Sequence, residues 1–371
     1  MTTHTTPPAP RELTGVWLVA QREIGSKLRS KAFVISTIVL FVAALASIVL
    51  GGFAAQNAGG TKVAVTAQTA SVVSELPGLE VTDVADRAAA EALVESGEVD
   101  VAVVEEPSAT PPFDYVVVAN ESAPSGFTMM LADAPEVQLL NPETATNNAA
   151  VRYFVALGFG FIFLLAASMF GGTIAQSVVE EKQTRVVELL ISAIPARSLL
   201  AGKVIGNTVL AMGQILGLAA IAVVGLIVID QVEVLQGLGS ALLWFAVFFL
   251  FGFILLASLF AAAGAMVSRQ EDIGSTTTPI TMLIMAPYFL VIFFNDNPVV
   301  LAIMSYVPFS APVGMPVRLF LGEAQWWEPV LALVILLATC VAAIALGARI
   351  YENSLLRMGG RVKLREALAA G

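Results

Sequence analysis

The sequence predicts an all-α membrane protein with six transmembrane helices and an α/β extracytoplasmic domain between the first and second spans. Three observations lead to this fold class. Hydrophobic residues make up 57% of the 371-residue chain and charged residues only 13%, whereas soluble domains carry about a quarter charged residues. Six stretches without Asp, Glu, Lys, Arg or His are long enough to cross a bilayer. The segment between the first two of them is polar and acidic.

The six uncharged windows are predicted to be membrane helices. About 20 helical residues cross a hydrocarbon core of about 30 Å, and backbone groups inside lipid must form their hydrogen bonds within the segment. Both conditions favour one helix per window. The windows are residues 33–53, 153–179, 204–229, 234–268, 273–295 and 329–348.

The basic residues predict the orientation. An even number of spans puts both termini on one side, and that side receives 15 of the 19 Lys and Arg residues. Basic residues near span ends mark the cytoplasmic side, so both termini are predicted to be cytoplasmic. Arg outnumbers Lys 13 to 6 and Ala is abundant, which suggests a GC-rich bacterial genome and a bacterial plasma membrane.

These windows divide the chain into regions with different predicted roles. The net charge of −10 comes from one of them, because residues 54–152 carry 15 acidic and 3 basic residues. The regions are a cytoplasmic tail with an interfacial elbow helix (1–31), transmembrane helix 1 (32–54), an extracytoplasmic α/β domain (55–150), transmembrane helices 2 to 6 (151–350) and a cytoplasmic C-terminal tail (351–371).

The elbow helix is predicted from an apolar stripe beside basic residues. Leu13, Trp17, Ala20, Ile24 and Leu28 recur at helical spacing, which is typical of a helix that lies in the membrane interface. A solvated leader that feeds the first span is the alternative.

The external domain is predicted from short alternating segments. Residues 62–66, 100–104 and 114–119 have the pattern of strands, and residues 86–96 form an Ala-rich helical segment. Its acidic residues do not have the spacing of a calcium loop, so a solvated acidic surface is the expected reading.

The chemistry of the chain excludes most enzyme classes. Cys340 and His4 are its only Cys and His residues, which rules out a disulfide framework, a thiolate metal cluster and His-based catalysis. Gly202-Lys203 is followed by Val204, whereas a phosphate-binding loop needs an upstream Gly and a trailing Ser or Thr. We therefore predict no catalytic residue, no metal site and no cofactor in this chain.

The segment 180–195 combines charge, Leu189-Leu190 and a terminating Pro195. Thr184, Glu188 and Ile191 have the spacing of one helical face. A rigid amphipathic helix between two spans can transmit a push from a soluble partner, so we predict a docking helix. An ordinary solvated loop helix is the alternative.

The segment 297–322 is apolar but rich in proline, with Pro298, Pro308, Pro312 and Pro316. Proline does not continue a helix, and the residue before it is pushed out of the helical region. We therefore predict two short re-entrant segments that dip into the outer leaflet, and no seventh span.

The six windows contain no acid or base. Carriers coupled to ions keep ionisable residues near the midplane, so this class and charged-ring channels are disfavoured. Asn207 and Gln214 lie seven residues apart on one face of the third span, and Thr277 lies in the fifth. Such groups most often hold helices together, and lining of a transport pathway is the alternative.

From Glu180 to Lys203 the sequence resembles the Glu-Lys…Thr/Arg…Glu-Leu-Leu…Pro…Leu-Leu-Gly-Lys signature of ABC-2 type transporter permeases. The resemblance extends through residues 268–272, 308–318 and 348–359. Together these segments resemble the subgroup often labelled sodium-efflux permease components. The resemblance covers nearly the whole chain except the external domain.

The resemblance implies a permease of type V exporter-like architecture that works as a homodimer or heterodimer in the lipid bilayer, usually as an exporter. ATP and Mg would be bound by a separate ATP-binding subunit, and no nucleic acid is involved. Residues implied to contact that subunit are Glu180, Glu181, Lys182, Thr184, Arg185 and Glu188. Residues implied to form an outer gate are Ser310, Pro312, Met315, Pro316 and Arg318.

The implied substrates are sodium ion, a drug or a peptide. The six predicted membrane helices contain no Asp or Glu side chain that could bind sodium within the bilayer. A hydrophobic or peptide-like substrate is therefore as open as sodium. A non-transporting membrane sensor or scaffold with a ligand-binding external domain is the alternative function. A carrier driven by an ion gradient is the third.

Overall fold

The computed structural model divides the chain into two compact units, a helical unit of residues 1–46 and 143–371 and a smaller unit of residues 47–142. Predictions that fall on the N-terminal eleven residues lie outside the described part of the chain. The described residues are 12–57, 61–74, 76, 79–106, 115–119, 131, 149–229, 232–357 and 362–369.

The described part of the chain begins with two consecutive helices, α1 (Glu12–Arg29) and α2 (Lys31–Asn57). α2 is the first of the membrane-length helices. The side chains of its membrane window are not buried within the chain, so its apolar surface suits contact with lipid or another subunit.

The smaller unit contains a four-stranded sheet with the order β2-β1-β3-β4. β1 pairs in parallel with β2 and β3, and β4 runs antiparallel to β3. Residues 101–104 are all buried, which is typical of a strand covered on both faces. In the described residues of this unit, the elements are β1 (Thr61–Val65), α3 (Ala70–Val73), β2 (Leu79–Asp83), α4 (Arg87–Glu95), β3 (Val101–Glu105) and β4 (Tyr115–Ala119).

The predicted α/β region is therefore confirmed, although the prediction lacked two of its elements. β2 is short and its side chains are mostly exposed, so it has little apolar periodicity to reveal it. α3 is a single turn held by Thr69, whose hydroxyl donates to the Val103 carbonyl at 2.6 Å.

In its described residues, the rest of the helical unit contains five more membrane-length α-helices and four short ones. The prediction of six spans is confirmed, since six helices of the described chain are long and apolar enough to cross a membrane. The remaining helices are α5 (Ala149–Gln183), α6 (Val186–Ala193), α7 (Ala196–Val228), α8 (Val232–Ala265), α9 (Ile273–Phe293), α10 (Pro298–Tyr306), α11 (Ala311–Phe320), α12 (Glu328–Leu355) and α13 (Leu364–Ala369).

α8 lies at the centre of this unit and packs against α5, α7, α9, α11 and α12. Buried phenylalanines join it to α5. The rings of Phe159 and Phe245 lie 4.8 Å apart, and those of Phe163 and Phe249 meet edge to face at 5.8 Å. Such pairs stabilise by about 0.5–1.5 kcal/mol beyond the area they bury, so they fix how α5 lies along α8.

Glycines let other helices approach α8 closely. A Cβ on Gly264 would lie 2.7 Å from the carbonyl oxygen of Ala175 on α5, and a Cβ on Gly347 of α12 would lie 3.0 Å from the Ser258 carbonyl oxygen. Small residues at such crossings are typical of membrane helix packing.

Substitution of Gly264 tests this close approach. We expect Gly264→Ala to destabilise the protein by about 1–3 kcal/mol, because the added methyl group meets rigid backbone. Gly172→Ala is the matched control, since a Cβ there meets nothing within 4 Å, and it should be neutral or stabilise by up to about 1 kcal/mol. Thermal unfolding in detergent measures both, and equal shifts would contradict the interpretation.

Candidate functional site

The predicted docking helix of residues 180–195 is a shorter helix in the structure, and it begins only at Val186. Residues 180–183 are the last turn of α5, and Arg185 breaks the helix with a φ of +59°, a left-handed conformation common at helix ends. α6 follows, and Pro195 then caps the start of α7. Thr184 lies in the turn, so it does not share a helical face with Glu188 as its spacing predicted. We call this end of the helical unit the α6 end.

α6 has a buried face and an exposed face. Val187 is fully buried, and Leu190, Ile191 and Ile194 pack against the main core. On the other side, 74% of Leu189 is exposed. The core therefore holds α6 in place, while its outer face leaves an apolar side chain exposed.

The six residues predicted to contact an ATP-binding subunit fall into two groups. Glu180, Thr184, Arg185 and Glu188 are exposed, so their predicted role stays open. Glu181 and Lys182 point into the protein instead, and Lys182 is only 1% exposed. In the structure these two residues contact other helices of the same chain, and their predicted role at a partner subunit stays a prediction.

Lys182 joins three membrane helices at the α6 end. Its ammonium group donates to the carbonyl oxygens of Ala265 at 2.8 Å and Ser354 at 2.9 Å. These carbonyls lie in the last turns of α8 and α12, where backbone acceptors lack helical partners and the helix dipole favours a cation. One lysine of α5 therefore caps two other helices.

The fully buried Lys203 is the centre of a second group of charged side chains, which we call the ionic cluster: Arg22, Glu23, Glu181 and Lys203. The Lys203 ammonium lies 3.0 Å from Glu23 Oε1 and 3.1 Å from Glu181 Oε2, and it also donates to the Ser177 hydroxyl at 2.9 Å. Arg22 pairs with both carboxylates. Two positive and two negative charges thus balance, and they tie α1 to α5 and α7.

α1 reaches Lys203 because α7 carries glycine where the two helices cross. Gly202 and Gly206 form a Gly-x-x-x-Gly pair that permits close contact between helices. A Cβ on Gly202 would lie 2.8 Å from the Val16 carbonyl oxygen, and one on Gly206 would lie 3.0 Å from the Ala20 carbonyl oxygen.

The predicted elbow helix, α1, therefore has a buried face and an exposed face. Its α7 face includes Val19, Glu23 and also Ala20 of the predicted stripe, whereas Leu13 and Trp17 of that stripe are exposed. The exposed part of the stripe suits a helix that lies in a membrane interface. The α7 face was not predicted, because glycine and a carboxylate do not mark a packing surface in a hydropathy pattern.

The ionic cluster shifts the titration of its α1 members. Burial alone would raise the pKa of the Glu23 carboxyl, but attraction to Lys203 and hydrogen bonds from Lys203 and Arg22 outweigh burial, so the pKa is lowered. Burial opposes the charge of Arg22, yet attraction to Glu181 raises its pKa. Both side chains are therefore ionised at neutral pH.

The predicted outer segment 297–322 forms the short helices α10 and α11. Pro298 and Pro312 lie in the first turns of these helices, where the missing N–H costs nothing. The five predicted gate residues are all buried: Ser310, Pro312, Met315, Pro316 and Arg318. α11 packs on α8 and α5, so these residues belong to the interior, and a gate role stays a prediction.

Charged pairs also join helices near α11. Arg318 pairs with Glu328 at the start of α12 and donates to the Glu323 carbonyl at 3.1 Å. Arg152 of α5 lies 3.0 Å from Glu323 and donates to the Asn295 carbonyl at 2.8 Å. We call this end of the helical unit, opposite the α6 end, the α11 end.

The three residues predicted as pathway lining do not form one group. Asn207 and Gln214 lie on α7, which packs against α1 and α8, whereas Thr277 lies on α9, which packs against α5 and α8. Asn207 donates to the Lys203 carbonyl, and Thr277 to the Ile273 carbonyl, of its own helix. The side-chain oxygens of Asn207 and Gln214 are buried without a hydrogen-bond partner, so these two could accept a bond from water or a substrate.

The sequence did not predict that Glu23 and Ser177 lie beside Lys203. Glu23 is part of a basic leader and Ser177 is part of an apolar window, so neither residue stands out as a partner for a lysine. The available signal was Gly202-Lys203…Gly206, a lysine inside a close-packing motif. No three His, Cys, Asp or Glu side chains come together as a metal site in the described part of the chain.

A double-mutant cycle tests the ionic cluster. We expect Lys203→Met to destabilise the protein by about 3–5 kcal/mol, because it leaves two buried carboxylates with one arginine. Glu23→Gln added to Lys203→Met restores charge balance and should recover part of the loss. Thermal unfolding at pH 7 gives the coupling, and strictly additive effects would contradict the cluster.

The contribution of Glu23 to the free energy of unfolding depends on pH. The lowered pKa of Glu23 means that its contribution is complete above the ordinary Glu pKa of about 4.3 and is lost as the pH falls through the lowered value. The difference between wild type and Glu23→Gln should therefore be largest at neutral pH and shrink in acid.

Lys182→Met tests the cap on α8 and α12. We expect a loss of about 1–3 kcal/mol, because two buried carbonyls lose their donor. Lys363→Met is the matched control, since Lys363 is exposed near the same helix end. Hydrogen exchange should rise in the last turns of α8 and α12 for Lys182→Met only, and unchanged exchange there would rule out the cap.

Comparison with known proteins agrees with this architecture. Residues 31–349 match the model of the family described as ABC-2 family transporter protein. The chain is 29% identical over 211 residues to the uncharacterized protein YhaP of Bacillus subtilis, which covers 54% of this chain and 50% of YhaP. It is 27% identical over 235 residues to the uncharacterized protein MJ1024 of Methanocaldococcus jannaschii, which covers 63% of this chain and 57% of MJ1024.

The chain thus spans little more than half the length of these relatives, and no solved structure matches it. The family match covers most of the chain, including all six membrane-length helices in whole or in large part. The protein is a multi-pass membrane protein and belongs to the ABC-2 family of transporter membrane components.

Proposed function

We propose that this chain is the permease subunit of an ATP-driven exporter, and that a separate ATP-binding subunit docks on α6 and the exposed end of α5. ABC-2 permeases normally work with such a subunit. The observation that carries the docking site is Leu189, which is 74% exposed on a helix whose opposite face is anchored in the core.

The surroundings of Leu189 fit a protein interface. An apolar anchor with a polar rim is the usual anatomy of such a site. Exposed Glu180, Arg185 and Glu188 surround α6 and its entry turn, and they carry both signs of charge. Charged rim residues steer the correct partner and suppress wrong ones.

α6 is connected so that its movement reaches the membrane helices. It packs on α5 and α7. Lys182 then ties α5 to α8 and α12, and Lys203 ties α7 to α1 and α5. A displacement of α6 by a partner would therefore be passed to most of the helical unit through contacts that are buried and charged.

The proposal places the α6 end and both termini on the cytoplasmic side of a bacterial plasma membrane, where ATP is available. No residue in the membrane window of α2 is fully buried, which leaves apolar surface for a second permease subunit, identical or different. Sodium ion, drugs and peptides are the candidate substrates, and export is the expected direction.

Variants of the exposed face of α6 test the docking site. We expect Arg185→Glu combined with Glu188→Lys, and separately Leu189→Glu, to reduce copurification of the ATP-binding subunit from native membranes at least about tenfold, a loss of about 1.4 kcal/mol. Mg-ATP hydrolysis in the purified fraction should fall in parallel.

Leu364→Glu is the matched control, because Leu364 is also exposed, at 53%, on another short helix. It should leave copurification and ATP hydrolysis unchanged. Thermal unfolding shows that each variant is folded. A normal complex with normal ATP turnover in the α6 variants would reject the docking site.

A further inference from the structure

A cleft of about 560 Å³ opens between α7, α8 and α12 near the α6 end. We call it the α7–α12 cleft. Its walls are mostly branched apolar side chains, namely Val204, Ile205, Val209, Leu250, Ile254 and Ile344. None of these residues takes part in the proposed docking site on α6.

The cleft is open to the surroundings of the helical unit rather than sealed within it. Ile205, Val209 and Ile344 are each 40% exposed or more. The hydroxyls of Thr208 and Ser258 also line it, but each donates to a carbonyl of its own helix. In a membrane protein, an open apolar cleft of this kind offers a surface for hydrocarbon.

The cleft has a charged mouth. A second cavity of about 510 Å³ shares Arg197, Ile344 and Ala348 with it and adds Arg349 and Glu352. Arg197 lies in the first turn of α7 and Arg349 in the last two turns of α12. The ends of membrane helices are the level at which lipid headgroups lie.

We propose that the α7–α12 cleft binds an anionic phospholipid, with an acyl chain along its apolar walls and the phosphate at Arg197 and Arg349. Two arginines and one carboxylate line the mouth, so its lining carries a net positive charge. The carboxylate of Glu12 on α1 also attracts Arg197, but it is not part of that lining. Basic pockets between membrane helices bind anionic headgroups, and arginine is suited to phosphate because its guanidinium donates two parallel hydrogen bonds. The site is separate from the proposed ATP-binding partner and does not depend on it.

Glu352 would compete with the lipid phosphate for the guanidinium of Arg197. It accepts from Arg197 Nε at 2.6 Å and Nη2 at 3.2 Å, while 76% of the Arg197 side chain is exposed. Exposed ion pairs stabilise proteins very little, so a lipid phosphate can replace the carboxylate at small cost. A lipid site therefore predicts opposite effects for substitutions of the two partners.

The test is native mass spectrometry of the purified full chain with added phosphatidylglycerol or phosphatidylcholine of identical acyl chains. We expect wild type to retain phosphatidylglycerol preferentially. Arg197→Ala and Arg349→Ala should each weaken that retention about fivefold, and Glu352→Gln should strengthen it. Phosphatidylcholine retention should not change.

Arg269→Ala is the matched control, because Arg269 is also exposed, at 70%, and paired with an exposed Glu271. It should leave phosphatidylglycerol retention unchanged. Val209→Trp fills the cleft and should reduce retention of both lipids, with the unfolding temperature showing that the variant is folded.

Three results would overturn the proposal. The first is equal retention of the two lipids by wild type. The second is a change in the same direction for Arg197→Ala and Glu352→Gln, which would mean that their ion pair is structural. The third is a shift from dimer to monomer in Val209→Trp with lipid retention unchanged, which would make the cleft a contact between copies of this chain.

Discussion

Two ammonium groups buried at the α6 end constrain the rest of the helical unit. Lys182 and Lys203 are 1% and 0% exposed, and a buried charge without partners costs several kcal/mol. Each lysine meets this cost with partners from other helices. Lys203 uses the carboxylates of Glu23 and Glu181, whereas Lys182 uses backbone carbonyls at the ends of α8 and α12. The positions of five helices at this end are therefore set by two side chains.

This arrangement explains why α6 is not a loose connection. Glu181 and Lys182 are consecutive on α5, so their side chains point about 100° apart around the helix and engage different neighbours. The last turn of α5 is thereby held from two sides, immediately before the left-handed Arg185. A helix mounted on such a fixed support transmits a force from outside, whereas a solvated loop absorbs it.

The sequence predicts the parts of this fold that depend on local composition. The six spans follow from uncharged windows, and the division of residues 297–322 into two short segments follows from its prolines. The burial of Glu23, Lys182 and Lys203 could not be predicted in this way, because it depends on which helices meet, and hydropathy treats every charge as solvated. Only glycine at positions 202 and 206, which admits α1, connects the sequence to that contact.

The distribution of charge also limits how a displacement at the α6 end could be passed to the α11 end. Ionic contacts lie at the α6 end and, through Arg152 and Arg318, at the α11 end. Between them α5 and α8 meet through phenylalanine rings such as Phe163 and Phe249. A relay of protons or ions would need polar groups along this path. Packed rings instead favour movement of whole helices, since close-packed interfaces shift as rigid bodies between discrete arrangements. A push on α6 would therefore reach α11 as a displacement of α5 against α8.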